Sequence, residues 1–462
     1  GKGGAKGEVA IQNQMIFDDR LERIDQKAQE IERAFENFRK LQTQLELDSG
    51  DMRASKRQLR EMLKELRTEL DGDLASEYGI DRSDLRKKEE YETKFAQWQQ
   101  SHQPFHWWVE FYGIMKRGGF DVVIGNPPYL DFKELTTYSI RGFVTLPTRN
   151  IYALILERCQ YMVSFQGRQG YIVPVSSIAT EGYLSLQQTI SHRKLFFSSY
   201  DDRPSHLFDG LDKNTLSILL LSTIVPRFDA MSTRLLRWSA EERNQLFQTL
   251  NYEITPSTKL KGCFPKVGSS IEAAIWKKIF SFKPLCTFYS QKSEFVTYYS
   301  RKVNAFLQVL DFVPEVRDGQ SRLRPPSEFK ELPFFTQEQA VAVFCCLNST
   351  LFRWFLDITS DGSHLNRREI DDFPFNPEYA SSAYPVLLDL AGQLSENLRQ
   401  TSVNKIMRYK HDTLTVQCIL PKFSKPIINE IDRVLGQYYG FTDEELDFII
   451  NYDIKCRMGR NL

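Results

Sequence analysis

The sequence predicts an α/β protein: part of a doubly wound sheet, with a helical hairpin in front of it and a mixed region behind. Three observations lead there. Apolar residues in the first hundred positions recur at alternating spacings of mostly four and three. From about Phe105 to Ile224, short β-branched or aliphatic runs alternate with stretches of helical spacing. Beyond about residue 225 that rhythm gives way to a basic, aromatic-rich region and then to helices.

In chain order, Phe17, Leu21, Ile24, Ala28, Ile31, Phe35, Phe38 and Leu45 form one apolar seam. Asp48-Ser49-Gly50-Asp51 interrupts it, with Gly50 as a stop and Ser49 or Asp51 as a fresh N-cap. Leu59, Leu63, Leu66 and Leu70 then line a second helix, so the pair reads as an antiparallel hairpin. Asp121 to Ile124 reads as a short buried strand, because Val122, Val123 and Ile124 are consecutive and β-branched. Ile151 to Ser164 has helical spacing. Gln166-Gly167-Arg168-Gln169 reads as a turn into a second strand, Gly170 to Val175. Gly182 to Ile190 reads as a helix and Thr215 to Leu221 as a third strand. The Pro- and Arg-rich run 314–330 reads as a loop. The expected segments are 1–103 (helical hairpin), 104–225 (half of an α/β sheet), 226–427 (mixed region) and 428–462 (C-terminal segment).

Composition narrows the class. With 462 residues, 41% hydrophobic and 26% charged, the chain has the make-up of a globular protein of two to four domains. No apolar run approaches the ~20 residues that span a bilayer. No signal peptide is visible, and the seven scattered cysteines include no Cys-x-x-Cys pair. Reduced thiols, a cytoplasmic location and no metal site are the expectation. The first residue is Gly1, not Met, which reads as a fragment or a processed product. Lysine plus arginine equals aspartate plus glutamate at 60 each, so only local charge can point to a nucleic acid. It does: between Thr255 and Lys302 nine Lys/Arg face two Glu, with Phe264, Trp276, Phe288, Tyr289, Tyr298 and Tyr299 interleaved. Lys277, Lys278, Arg301 and Lys302 are the candidate phosphate ligands. His364, Asn366 and Arg367 are candidates for base edges, and Arg368, Lys455, Arg457 and Arg460 for further contacts.

The chemistry concentrates in FDVVIGNPPYL, residues 120–130. After the strand, Asn126-Pro127-Pro128-Tyr129 makes a stiff turn with fixed φ at two residues and two missing N–H donors. It offers an amide side chain, outward carbonyls and an aromatic ring. That set can accept hydrogen bonds from a planar amino group and stack on the ring that bears it.

Strand-Asn-Pro-Pro-Tyr resembles the catalytic motif of S-adenosylmethionine-dependent amino-methyltransferases. The flanking segment 104–130, PFHWWVEFYGIMKRGGFDVVIGNPPYL, and the stretch Ile428 to Arg460 are similar to Eco57I-like, type IIG-related adenine-specific methyltransferases of restriction–modification and phage-defence systems. The resemblance implies a partial methyltransferase sheet followed by a target-recognition region. It implies double-stranded DNA as partner, with an upstream nuclease or defence subunits as further ones. The substrate would be an adenine flipped from the duplex, at a cost of a few kcal/mol. Asn126 Oδ1 and the Pro127 carbonyl would accept the two N6 hydrogens. Tyr129 would stack on the base, a contact of ~1–3 kcal/mol. Phe208, or alternatively Tyr200, would form the opposite wall.

The family's Gly-containing turn for S-adenosylmethionine has no counterpart ahead of the motif. GKGGAKG at residues 1–7 follows no strand, so the cofactor motif is expected upstream of Gly1, and the chain is expected to be inactive alone. Glu328-Phe329-Lys330 has a nuclease-like spacing but no acidic partner on a flanking strand. Two other readings stay open: a protein-glutamine methyltransferase, and a DNA-binding specificity component with vestigial catalysis.

Overall fold

The computed structural model describes residues 26–40, 49–81, 88–208, 215–225, 230–256, 260–377, 384–408 and 412–458. They fall into two compact units. The first lies within Gly1–Asp121, Lys133–Gly142 and Tyr161–Ser164; the second comprises Val122–Phe132, Phe143–Gln160 and Phe165–Leu462.

The first unit is helical. Helix α1 covers 26–40, α2 Ser49–Ser76 and α3 Lys88–His102. Ile31, Leu59, Leu66, Val109 and Tyr112 form its core, with Phe35, Phe38, Leu63 and Leu70 packed around them. Lys27, early in α1, bonds Glu69, late in α2, at 2.5 Å, so the two helices run antiparallel. The expected hairpin is therefore present. Phe17, Leu21, Ile24 and Leu45 of the seam, and Asp48 of its interruption, lie outside the described residues. Buried Asp71 accepts from Gln99 at 2.8 Å and pairs with His106 Nε2 at 2.7 Å, tying α3 and the following segment to α2.

The second unit holds a mixed six-stranded sheet. Its strands are β1 (Phe120–Gly125), β2 (Val163–Pro174), β3 (Arg193–Tyr200), β4 (Leu216–Ile224), β5 (Met231–Leu236) and β6 (Glu253–Ile254), in the order β1-β2-β4-β3-β5-β6. Strand β4 runs antiparallel to both β2 and β3; β3 is parallel to β5, and β5 antiparallel to β6. The α/β class holds, with a mixed sheet in which one strand is inserted antiparallel. Helices α4 (Ile151–Met162) and α5 (Leu184–Ile190) contribute Tyr152, Leu156, Leu186 and Ile190 to the cluster around Tyr171, Phe197 and Leu219.

Three local expectations need correction. β1 is the outer strand of the sheet, not a buried one: Val122 is 59% and Ile124 79% exposed, while Val123 packs inward. Side chains alternate between the two faces of any strand, and here the face bearing Val122 and Ile124 is uncovered, whatever its β-branched content. The turn expected at Gln166–Gln169 is part of β2, where buried Gln169 exchanges hydrogen bonds with Gln160 and accepts one from Tyr171. Strand β3 has no counterpart among the expected strands. It opens on Arg193, which is buried and donates to Gln160, Gly167 O and Ser222 O.

The rest of the unit surrounds a large core through Trp354, Phe344, Phe352, Phe355, Phe373 and Phe375. Helices α6 (Ser270–Ile279), α7 (Gln337–Asn348), α8 (Thr350–Thr359), α9 (Arg367–Asp371), α10 (Tyr384–Gln400), α11 (Lys425–Tyr439), α12 (Asp443–Ile450) and α13 (Ile454–Met458) supply most of it. Two small sheets join them. One orders β11 (Phe329–Pro333), β7 (Val296–Ser300) and β8 (Val309–Leu310). The other orders β10 (Leu323–Arg324), β9 (Val316–Arg317), β13 (Thr413–Cys418) and β12 (Val403–Arg408). The run 314–330 thus contains β9, β10 and the start of β11 rather than a plain loop. No single helix among the described residues is long and apolar enough to cross a membrane.

Candidate active site

The Asn-Pro-Pro-Tyr loop leaves the outer strand β1 and is fastened at its far end. Ile151 N–H donates to Leu130 O at 2.9 Å, and Phe132 N–H to Arg149 O at 3.1 Å, so the loop closes onto the start of α4. Just beyond it, buried Glu157 on α4 accepts from Val144 N–H, Thr145 N–H and Thr145 Oγ1 at 3.0, 2.8 and 2.6 Å. Two prolines and these anchors hold the loop with little conformational freedom.

Within the loop Asn126 is exposed, Pro127 buried, Pro128 exposed and Tyr129 half-buried. The Tyr129 hydroxyl donates to Asn126 Oδ1 at 2.7 Å and lies 3.1 Å from Ile172 O on β2. One hydroxyl proton is shared between these acceptors. The contact holds the amide beside Tyr129, and with its oxygen placed toward the hydroxyl that oxygen keeps a second lone pair. Burial pushes the Tyr129 pKa up to about 12, so the hydroxyl remains a donor at neutral pH. The ring meets Tyr152 edge-on at 6.1 Å, and Tyr152 stacks on Tyr183 at 5.5 Å.

Tyr129 and Phe208 both pack, partly buried, against one small cluster of Tyr200, Leu207, Leu216, Trp238 and Leu246. Tyr200 itself is 1% exposed and donates to Ser198 Oγ, so it has no face left for a ligand. Of the two candidates for a second wall, only Phe208 keeps an accessible ring.

The basic candidates separate. Arg301 Nη2 lies 3.3 Å from Asn366 Oδ1, and Lys302 pairs across a β-bridge with His364, which gathers four of them on one exposed face. Lys302 also bonds Glu328 at 2.6 Å, and that contact occupies the glutamate of the Glu-x-Lys spacing. Asn366 caps α9 through a reciprocal box with Glu369. Arg367 is committed to Asp371 at 2.7 Å and lies over the Tyr289 ring at 4.1 Å. Arg368 donates to Ala179 O and Glu369. Lys278 bonds Glu445 at 2.6 Å and Gly440 O at 2.7 Å, closing α6 onto the α11–α12 turn. Lys277 and Lys455 are exposed, Arg457 is buried, and Arg460 lies outside the described residues.

Lys266, counted among the basic residues of this stretch, is fully buried and donates to Ile358 O and Ser360 O. Burial lowers its pKa to about 8, against an ordinary 10.5. The unfolded chain then binds more protons than the folded one between about pH 8 and 10.5, so this lysine makes stability rise with pH across that window. Relative to Lys266→Met, the wild type is expected to gain up to ~1.4 kcal/mol per pH unit there and nothing below pH 8. Parallel denaturant titrations of both proteins check this; a constant difference from pH 7 to 10 would show that Lys266 does not titrate in the fold.

Strand β2 enters Ser176–Ala179 directly, while β6 reaches α6 through residues 255–269, which include Gly262 and Gly268. Gly-rich residues 1–7 lie outside the described residues. The described part presents an amide and an aromatic ring on a rigid loop, and none of its residues is assigned to hold S-adenosylmethionine.

Residues 18–202 match the family model described as Eco57I restriction-modification methylase. A putative type II restriction enzyme and methyltransferase of Methanocaldococcus jannaschii is 29% identical over 118 residues, which are 26% of this chain and 10% of that protein. Among solved structures, a DrdV–DNA complex aligns with a TM-score of 0.32 and 10% identity, covering 76% of this chain and 56% of that one. The ATP-dependent Type ISP restriction-modification enzyme LlaBIII bound to DNA aligns with a TM-score of 0.31 and 9% identity, covering 68% and 33%. These structural likenesses are too loose to place any residue. The Asn-Pro-Pro-Tyr loop falls inside the matched segment, and the C-terminal stretch from Ile428 falls outside it. Over residues 18–202 the chain is therefore similar to the Eco57I restriction-modification methylase family.

Proposed function

We propose that this chain is the amine-activating part of a DNA methyltransferase of a restriction–modification system, acting on N6 of an adenine flipped out of the duplex. The observation that carries it is the Asn126–Tyr129 arrangement: an exposed amide oxygen, fixed by a hydroxyl, on a rigid loop within the matched family segment. S-adenosylmethionine is the methyl donor the family implies, and no residue described here is assigned to hold it. The roles of this chain's residues follow from the amine. Its lone pair is delocalised into the purine ring. Acceptance of one hydrogen by Asn126 Oδ1 and the other by the Pro127 carbonyl draws the nitrogen toward sp³ geometry. Tyr129 and Phe208 supply aromatic surface for the base, and no strong general base is needed. Arg301, Lys302, His364 and Asn366 form the exposed DNA-facing group.

The test is product analysis. The complete protein, duplex DNA and methyl-labelled S-adenosylmethionine are incubated, and the DNA is digested to nucleosides. Label in N6-methyladenine is expected. Label in cytosine or in protein glutamine sinks the adenine assignment; sequence-specific DNA binding with no label anywhere favours the vestigial reading.

DNA binding by the basic face is tested separately. Arg301→Gln with Lys302→Gln should weaken binding on all sequences and lower the salt-dependence slope by ~0.9 for each phosphate left without its cation. Lys278→Gln should instead lower stability, because it opens the Glu445 pair. An unchanged slope in the Arg301/Lys302 variant would move the DNA footprint elsewhere.

A further inference from the structure

A cavity of about 540 Å³ in the second unit opens beside the ends of β3 and β5 and is lined by the 303–305 and 362–364 loops and by α8 and α13. Its lining includes Arg203, Arg353, Arg457, Ser363 and His364. Arg353 is only 7% exposed. Its Nη2 bonds Asp357 Oδ1 at 2.9 Å, while Nε and Nη1 are buried with no hydrogen-bond partner among the described residues. A buried guanidinium with two unmet donors, on different edges of its plane, calls for acceptors, which the oxygens of a tetrahedral anion can supply.

Arg457 adds a second cation with no ion pair to a carboxylate among the described residues, although Asp432, Asp357 and Asp453 lie near enough to stabilise its charge. Among the described residues it donates to neutral oxygens, Ala305 O at 3.2 Å and Thr350 Oγ1 at 3.3 Å, and lies over the Phe306 ring at 4.3 Å. Burial lowers its pKa to about 10, which still leaves it charged at neutral pH. The lining carboxylates do not cancel this excess. Asp201 is bonded by Arg237 at 2.6 Å, and Asp202 lies 3.9 Å from the exposed Arg203.

We propose that this cavity binds a phosphate group, with Arg353 and Arg457 at its floor and Ser363 and His364 at its mouth. The source favoured here is a backbone phosphate of DNA, since His364 is bridged to Lys302 in the exposed basic group next to it. That choice of source rests on the DNA reading above; the phosphate site itself does not.

Calorimetry on the full chain, with inorganic phosphate and separately with a short DNA duplex over a salt series, tests it. Arg353→Met removes the guanidinium and its two free donors. Ser363→Asp, on the exposed loop, puts a negative charge at the mouth without touching the core and serves if Arg353→Met fails to fold. Each should weaken binding of the responsive probe by about tenfold or more, and for the duplex should lower the salt slope by ~0.9. A lower slope identifies the DNA backbone as the source. Loss of inorganic phosphate binding in a chain that never binds duplex identifies a free phosphate, keeps the site and sinks the DNA reading. If Ser363→Asp binds both probes as the wild type does, or the wild type binds neither, the proposal is overturned.

Discussion

Asn126→Ala in the complete protein is expected to lower methyl transfer by ~10²-fold or more while leaving the fold intact. The magnitude is that of removing one preorganised hydrogen-bond partner from a transition state. The side chain is exposed at the end of an outer strand, so its removal opens no cavity. It does remove the acceptor that the Tyr129 hydroxyl holds in place at 2.7 Å. Tyr129→Phe keeps the ring and deletes only that tether, so a smaller loss, in kcat more than in KM, is expected. Single-turnover methylation with saturating DNA separates the two, because a defect in binding would vanish there and a defect in activation would not. A wild-type rate for Asn126→Ala would end the assignment of the loop as the amine-activating element.

How far the sequence reaches depends on how local the cause is. The Asn-Pro-Pro-Tyr loop is legible because two prolines dictate their own geometry. The α1–α2 hairpin is legible because Ile31, Leu59 and Leu66 follow a helical period. Strand β3 is not, because its opening Arg193 is buried by partners from elsewhere in the chain, among them Gln160 and Ser222. Nor does composition distinguish kinds of cation. Lys278 ties helices together, Lys266 is enclosed by carbonyls, and Lys302 lies on an exposed face, yet all three count alike toward a basic stretch. The exposure of β1 is hidden too, since a β-branched run reads the same whether one face of its strand is covered or both.

The ionic centre around Arg237 is equally invisible in the sequence, its partners lying 36, 120 and 216 residues away, and it carries the largest stability effect expected for this fold. Arg237, just after β5, bonds Asp201 at 2.6 Å, Asp357 of α8 at 2.9 Å and also Asp453; Arg234 bonds Asp453 at 2.5 Å. One guanidinium thus joins the six-stranded sheet, the central helix and the C-terminal segment. Burial alone would push the Asp357 carboxyl up, but Arg237 and Arg353 outweigh it and hold it at about 2. Arg237→Met leaves three carboxylates in a buried site without their shared cation. Breaking a buried pair this way costs about 3–5 kcal/mol, and at ~2–4 °C per kcal/mol for a unit of this size Tm should fall by roughly 10 °C. Arg237→Lys should not rescue it, because a single ammonium cannot meet three carboxylates in the plane of a fork. The pH dependence supplies an independent check. A carboxyl held at about 2 contributes stability that is present above its ordinary value of 3.8 and is lost as pH falls toward 2. The gap between wild type and Arg237→Met should therefore narrow as pH falls toward about 4 and below, because the still-buried carboxylates that have lost Arg237 take up protons before those of the wild type do. Thermal melts from pH 7 down to pH 3 measure it, and equal Tm values at pH 7 would show that the network adds no net stability to the unit.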